Sequence, residues 1–278
     1  MEYSFTRNNK KSGWTQWMLR LPSLLYLCLM IIVPLIVIIQ DGFREGISEL
    51  LHQITLPIAR HAILLTLWTS TLMTVINAVM GLMTAFVLVR YEFPGKRLLN
   101  AIIDLPLSIP TLVTGVMLVM LYGPQETLGA FLSEKIGLQV IFAPPGIILA
   151  LLFISFPSVV RTIQPVLEEL DRSQENAAFT LGASSWATFR KVILPALIPP
   201  TLNGALLSFS RAIGEFGSVV IVAGNIPLKT QTAAVYVLGA VESENRLGAS
   251  AISILLVTIS LLVLIIANTL EKQWGSHR

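Results

Sequence analysis

Three ionisable residues lie within or at the edges of long apolar segments of this 278-residue chain: Asp104, Arg211 and Glu215. A charge inside a lipid bilayer costs about 2.5–3.5 kcal/mol even on the gentler scales, so such residues usually face the interior of a helical bundle. The four-residue spacing of Arg211 and Glu215 places both on one face of a helix, where they can pair. If that helix begins at Ala196, Arg211 lies about 22 Å along it, near or just past the middle of a membrane.

Two interpretations of this pair are open at the level of sequence. In the first, Arg211 is a cation beside the path of an anion and Glu215 holds it in place, and the hydroxyl groups of Ser208 and Ser210 are further candidate donors. In the second, Arg211 and Glu215 form a buried pair that fastens one helix to its neighbours. The many small residues around them favour close helix packing, which fits the second interpretation.

Asp104 lies seven residues after Arg97, about 10 Å into its own apolar segment. A structural pairing with an arginine near the inner membrane surface is favoured over a role in a pathway. Pro106 and Pro110 interrupt the same segment, and irregular backbone at membrane depth is tolerated where it is packed in protein or faces a cavity. Asp104 and Thr111 are therefore also retained as candidate pathway residues.

No motif typical of an enzyme active site is present. The chain lacks a GxxxxGK[ST] phosphate loop and has no HExxH or GxSxG segment. The single cysteine, Cys28, has no disulfide partner, and the three histidines (His52, His61, His277) are too scattered for a metal site. We expect a protein that is not an enzyme and binds no cofactor or metal. If it transports anything uphill, the energy comes from another chain or from an ion gradient.

The composition predicts an all-α integral membrane protein. Hydrophobic residues make up 54% of the chain and charged residues only 13%, against about 25% charged in soluble domains. Six apolar segments are long enough to cross a bilayer, at residues 21–39, 63–89, 98–122, 146–163, 196–223 and 247–270. With both termini in the cytoplasm, 13 of the 19 Lys and Arg residues fall on the inner side and 5 on the outer side. This bias follows the positive-inside rule of membrane proteins. The rule explains the excess of Lys and Arg better than nucleic-acid binding does.

We divide the chain into a cytoplasmic tail at 1–20, a first membrane helix with an outer amphipathic segment at 21–60, a membrane core at 61–270 and a second tail at 271–278. The amphipathic segment has apolar residues at helical spacing, at Ile47, Leu50, Leu51 and Ile54. The core contains the longest polar interruption of the second half of the chain, a loop at 168–195 on the inner side.

This loop is predicted to contain a helix of its own. Three acidic residues precede a helix that can begin near Ser173, with Ser173 as its N-cap. Ala177 and Ala178 give the helix a flat face, and the Gly182–Ser185 segment ends it. The loop is either an ordinary solvated connection or a helix–turn–helix that docks in a groove of a cytoplasmic partner, with the alanines allowing close approach.

The spacing in this loop resembles the EAA loop of ABC importer permeases, EAA-x3-G-x9-I-x-LP. Asn176 stands where the motif has Glu, Glu175 lies one residue earlier, and Val192 replaces Ile. In that family the loop forms a coupling helix that sits in a cleft of the ATP-hydrolysing subunit. The resemblance therefore implies contact with an ATPase at Glu175, Asn176, Ala177, Ala178, Gly182 and Ala183.

Four longer segments, at residues 90–95, 104–110, 156–170 and 208–225, look like the T-type sulfate/thiosulfate permeases of the sulfate/molybdate permease family. The segment SFSRAIGEFGS at 208–218 is shared with the molybdate permeases, and the additional first span favours sulfate. The resemblance implies a type I ABC importer permease fold, with six transmembrane helices and a cytoplasmic coupling helix.

The resemblance also implies the partners: two ATP-binding subunits that hold ATP and Mg²⁺, a second permease of the W type, and a periplasmic sulfate-binding protein. It implies a multi-pass protein of the bacterial inner membrane, with a plastid membrane as an alternative location. Molybdate or tungstate is an alternative substrate. A secondary transporter driven by protons through Asp104 and Glu215, and a membrane scaffold that transports nothing, are alternative functions.

Overall fold

The computed structural model describes residues 13–275, and this part of the chain consists of helices and connecting turns without a strand. The predicted tails at 1–20 and 271–278 therefore lie partly outside the described residues. Five helices are long and apolar enough to span a membrane, or six if one sharply bent pair counts as a single span. The predicted all-α membrane architecture is confirmed.

The first span lies at the edge of the bundle. Helix α1 (Gly13–Leu27), a π-helical turn at Cys28–Ile32 and α2 (Val33–Gly42) follow one another without a break. Within the candidate span Arg20–Gly42 no residue of the apolar window is buried. The predicted amphipathic helix is present as α3 (Ile47–Thr55), with Leu50 buried and Ile47 and Leu51 exposed.

Three long helices form the centre of the bundle: α4 (Pro57–Arg90), α8 (Pro144–Glu169) and α11 (Leu194–Ile213). They pack closely because glycines leave room for the facing backbone. A Cβ atom on Gly81 would lie 2.7 Å from Val159 Cγ1, and one on Gly204 would lie 3.0 Å from Val159 Cα. The buried amide of Asn77 reaches across from α4 and donates to the carbonyl oxygen of Leu152 at 3.3 Å.

The predicted third span is broken into α5 (Lys96–Ser108) and α6 (Thr111–Tyr122), which meet at an angle of 111°. Pro106 is accommodated inside α5. The break lies at Ile109, whose backbone is extended because the following residue is Pro110. A short helix, α7 (Thr127–Lys135), follows in the connection to α8.

The second half of the chain differs from the predicted spans in its boundaries. Helix α8 continues to Glu169, beyond the predicted end at 163, and the polar loop contains α9 (Arg172–Thr180) and α10 (Ser185–Thr188). A π-helical turn at Phe189–Ile193 joins α10 to α11, so the fifth span begins at Ser185 and ends at Ile213. The predicted span at 196–223 is thus wrong at both ends.

After Ile213 the chain forms α12 (Gly217–Ala223), α13 (Ala233–Glu242) and α14 (Arg246–Gly275). Helix α13 was not predicted, because the sequence between the fifth and sixth apolar segments was assigned to an outer connection. It packs on α14 and α4, and the buried hydroxyl of Thr66 accepts a hydrogen bond from the backbone N–H of Ala233 at 2.8 Å.

Helices α6 and α12, which begin at the two breaks in the bundle, pack against each other through glycines. A Cβ atom on Gly115 would lie 2.8 Å from the carbonyl oxygen of Ser218. A Cβ atom on Gly217 would lie 2.1 Å from Thr111 Oγ1. The two short helices therefore form one unit, whose close approach depends on the absence of side chains.

Gly217→Ala tests this packing. The new methyl group overlaps the Thr111 hydroxyl, so we expect a loss of about 1–3 kcal/mol of stability from overpacking. Gly214→Ala is the matched control, because a Cβ atom at Gly214 would lie 4.0 Å from the carbonyl oxygen of Arg211, at an ordinary contact distance. The measurement is thermal unfolding of the purified protein. Equal effects of the two substitutions would show that the packing of α6 on α12 does not depend on Gly217.

Candidate functional site

Helix α9, which was predicted to lie on the inner side, is capped by Asp171. The Asp171 carboxylate accepts a hydrogen bond from the backbone N–H of Ser173 at 2.8 Å and another from the Ser173 hydroxyl at 2.5 Å. These two bonds, that from the hydroxyl first, hold the pKa of Asp171 below its usual value. The prediction that Ser173 is the N-cap is wrong. Asp171 has the extended backbone that a cap requires, whereas Ser173 already lies in the first turn.

The end of α9 depends on a glycine. Gly182 has a φ of +82°, in the left-handed region that other L-residues rarely adopt. This conformation lets the N–H of Ala183 donate to the carbonyl of Ala178 and the N–H of Gly182 donate to that of Phe179, both at 3.0 Å. Such bonds satisfy the carbonyls left free at a helix end. The expected break at Gly182 is confirmed.

No residue of α9 is fully buried by the described part of the chain. Leu181 is 88% exposed and Trp186 is 69% exposed, although both have large apolar side chains. The predicted contact residues Asn176 and Ala177 are exposed as well, and Ala178 and Ala183 are half-buried. The molecule therefore presents a short helix whose apolar end is left exposed by the described residues 13–275.

Glu175 attaches this exposed helix to the membrane bundle. Its carboxylate accepts a hydrogen bond from the guanidinium of Arg90, the last residue of α4. The Arg90 side chain is only 9% exposed and that of Glu175 is 15% exposed, so the charges are largely withdrawn from water. Removing one partner of such a pair leaves an uncompensated charge.

A group of aromatic rings makes a second attachment. Phe86 on α4 contacts Phe189 edge to face, with ring centroids 5.3 Å apart. Phe189 in turn stacks on the exposed Trp186, with centroids 5.7 Å apart. The loop is thus joined to α4 on both sides of its turn, by an ion pair before Gly182 and by rings after it.

Asp104 pairs with an arginine, as the sequence indicated; the partner is Arg161, in the C-terminal half of α8. The guanidinium binds both carboxylate oxygens of Asp104, at 2.8 and 2.5 Å. It also donates to the side-chain and backbone oxygens of Asn100, both at 2.9 Å, and to Gln164 Oε1 at 2.5 Å. This fork of hydrogen bonds fastens α5 to α8.

The predicted pair of Arg211 and Glu215 does not form. The helix ends at Ile213, so the two residues no longer share a helical face. The Glu215 carboxylate accepts instead from the backbone N–H and the hydroxyl of Ser218, both at 3.1 Å. Arg211 is exposed on the surface of the single chain and forms no ion pair among residues 13–275.

The other predicted pathway residues lie in different surroundings. Ser208 is fully buried between α11 and α4, with its hydroxyl 3.6 Å from Met73 Sδ. Ser210 and Thr111 are half-buried. The sequence did not reveal the roles of Arg90 and Arg161, which had been counted only as inner-side cations. The one available signal was Asp104, whose place in an apolar segment required a nearby cation.

A family model described as "Binding-protein-dependent transport system inner membrane component" matches residues 77–275. A probable sulfate transport system permease protein cysT of Nephroselmis olivacea is 42% identical, with 96% of this chain and 92% of that protein covered. The sulfate transport system permease protein CysT of Escherichia coli (strain K12) is 40% identical, with 91% of each chain covered.

Solved structures share the fold. A chain of a bacterial alginate ABC transporter in complex with an alginate-bound periplasmic protein superposes with a TM-score of 0.78, covering 95% of this chain and 96% of that one. A chain of an amino acid ABC transporter gives a TM-score of 0.54, over 78% of this chain and 94% of that one. The sequence identities are 16% and 18%, so these structures bear on the fold alone.

Arg90→Gln tests the attachment of α9. The substitution leaves the Glu175 carboxylate largely buried without its cation, and we expect a loss of about 3 kcal/mol in stability. Arg90→Leu combined with Glu175→Leu removes both charges and should recover most of this loss. The measurement is thermal unfolding of the purified protein.

Glu92→Gln is the matched control, because Glu92 pairs with Lys96 through a side chain that is 87% exposed. Exposed pairs contribute at most about 1 kcal/mol. If Arg90→Gln costs no more than this control, or if the double substitution is worse than the single one, the pair does not anchor α9.

Proposed function

Because the chain belongs to the binding-protein-dependent transport system inner membrane components, the permease subunits of ABC importers, we propose that it carries sulfate or thiosulfate across the bacterial inner membrane. A member of this family is a transport component and not an enzyme, and it acts with an ATPase and a binding protein. The observation that carries the choice of substrate is the 40–42% identity to sulfate transport permeases along nine-tenths or more of the chain.

The further partners belong to the same proposal. Two ATP-binding subunits hold ATP and Mg²⁺ beneath the membrane, and a second permease of the W type completes the pathway. A periplasmic sulfate-binding protein delivers the anion to the outer side. This arrangement places both termini of the chain in the cytoplasm, in agreement with the distribution of Lys and Arg.

Helix α9 is the surface through which the ATPase acts. None of its residues is fully buried by the described part of the chain, and the exposed Leu181 and Trp186 lie at its C-terminal end and just beyond it. Apolar side chains with this exposure lose contact with water when they enter a groove of a partner, which favours docking. Asn176 occupies the position of the motif's acid, and Glu175 is engaged by Arg90 within the chain. The contact with the ATPase therefore depends on shape and apolar area more than on an acid of α9.

Movement of α9 reaches the bundle by two routes. The Arg90–Glu175 pair transmits it to α4, and the rings of Phe86 and Phe189 transmit it to α4 and to the start of the fifth span. Closure of the ATPases on ATP displaces α9, and the bundle then opens alternately to the two sides of the membrane.

The anion needs donors or cations along its way, because an unpaired charge in an apolar medium is costly. Arg211 is the best candidate, since its guanidinium is exposed on this subunit and is not neutralised by Glu215. Ser210 and Thr111, both half-buried, are further donors. A proton-driven mechanism through Asp104 and Glu215 receives no support, because Arg161 binds the first carboxylate and Ser218 the second.

The substrate is tested by reconstitution with the subunits that co-purify. Binding protein loaded with sulfate or thiosulfate should stimulate ATP hydrolysis and uptake into proteoliposomes. Stimulation by molybdate-loaded protein alone would assign the chain to the molybdate importers. Uptake without any ATPase, abolished by collapse of the proton gradient, would contradict an ABC importer altogether.

Leu181→Asp tests the docking of α9. The side chain contacts little within this chain, so folding should be unaffected, while a carboxylate in an apolar groove should reduce co-purification of the ATPase by about tenfold or more. Ile136→Asp changes a similarly exposed residue, 61% exposed at the end of α7 on the opposite side of the membrane. The ATPase should remain bound to this control. Equal recovery of ATPase with both variants would show that α9 is not the docking helix.

Arg211→Gln tests the cation. We expect a lower rate of sulfate uptake with an intact complex, because the substitution removes a charge that has no ion-pair partner among residues 13–275. Arg211→Lys should retain more of the rate than Arg211→Gln, since it keeps the charge. If Arg211→Gln instead dissociates the complex, the residue is structural.

A further inference from the structure

A cavity of about 700 Å³ opens on the inner side of the molecule, between the turn that follows Arg90 and the adjoining ends of α5 and α8. Four charged residues line it, two cationic and two acidic: Lys96, Arg97, Glu92 and Glu168. Their formal charges cancel. A site of this kind favours a ligand that carries both signs over one that is a simple anion.

Two amides in the cavity wall are oriented by Arg161. The guanidinium binds the side-chain oxygens of Asn100 and Gln164, at 2.9 and 2.5 Å. These oxygens are taken, and one N–H of Gln164 donates to Asn100 Oδ1 at 3.5 Å. The groups left to offer are therefore chiefly the N–H donors of Asn100 and the second N–H of Gln164. Together with Arg97, which forms no ion pair within residues 13–275, they suit the oxygens of a phosphate group.

The acidic side of the cavity suits an ammonium group. Glu168 forms no ion pair among the described residues, whereas Glu92 is bound by Lys96 at 2.6 Å. One cation and one carboxylate, Arg97 and Glu168, are thus left for a ligand. A phosphate next to a primary ammonium matches this pair.

An apolar stripe leads away from the cavity along α5. It begins with Leu98, which lines the cavity and is 65% exposed, and continues with Ile102 and Leu105 at spacings of four and three residues. Residues at these spacings share one face of a helix. A polar cavity that continues into an exposed apolar stripe is the shape expected for an amphiphile.

We propose that this cavity binds the headgroup of a phosphoethanolamine lipid of the inner leaflet, with an acyl chain along Leu98, Ile102 and Leu105. Arg97, Asn100 and Gln164 hold the phosphate, and Glu168 accepts hydrogen bonds from the ammonium. The inference does not depend on which anion the protein transports, so the substrate assignment and the lipid site can fail separately.

The test uses the complete complex, purified with its partner subunits and stripped of lipid. Native mass spectrometry during titration with phosphatidylethanolamine should show a retained lipid, bound about tenfold more tightly than phosphatidylglycerol. Arg97→Gln and Glu168→Gln should each weaken this binding about tenfold, as expected for the loss of one charged hydrogen bond. Lys135→Gln, which removes a cation from α7 on the other side, should leave it unchanged.

Several results would overturn the proposal. Equal affinity for phosphatidylglycerol would mean that the ammonium group is not recognised, and equal weakening by Lys135→Gln would mean nonspecific lipid contact. Competition by inorganic phosphate as effective as that by the lipid would assign the cavity to a soluble anion. Absence of any retained lipid would show that a partner subunit covers this face.

Discussion

A charged pair withdrawn from water, Arg90 with Glu175, joins the membrane bundle to α9. It connects the last residue of α4 with the first turn of a helix that has no buried residue of its own. A helix of nine residues is marginal in isolation, so α9 holds its position chiefly through this pair and through the stacked rings that follow Gly182. The ATPase that we propose as the partner therefore acts on a helix that is attached to α4 at few, well-defined contacts.

The bundle around this attachment combines tightly packed helices with helices broken at membrane depth. Gly81 and Gly204 allow α4 and α11 to pack closely on α8, and the hydrogen bonds of Arg161 with Asp104 hold α5 against α8. By contrast, α6 and α12 follow breaks at Ile109–Pro110 and at Gly214–Phe216 and pack mainly on each other. Irregular backbone at this depth occurs where it is packed in protein or lines a water-filled path. Arg211 lies just before one of these breaks, which is consistent with its proposed place beside the anion.

Much of the fold was predictable, because the length of apolar segments and the side of the basic residues are properties of the sequence alone. The amphipathic α3, the interruption by Gly182 and the pairing of Asp104 with an inner arginine followed from local rules. The Arg211–Glu215 pair was predicted wrongly. Residues four apart share a face only on a continuous helix, and this helix ends at Ile213. The anchor at Arg90 was not predictable, since it joins residues 85 positions apart. Helix α13 was missed because a helix of ten residues is too short for a span, and the segment was expected to be a connection.

We infer that force on α9 reaches the membrane helices through Arg90 and Glu175. The most direct measurement is the amount of sulfate imported per ATP hydrolysed in proteoliposomes that contain the complete complex. With Glu175→Gln, ATP hydrolysis should persist while import per ATP falls severalfold, and exchanging the two charges, Arg90→Glu with Glu175→Arg, should restore part of the ratio. An unchanged ratio in Glu175→Gln, with the ATPase still bound, would contradict the account.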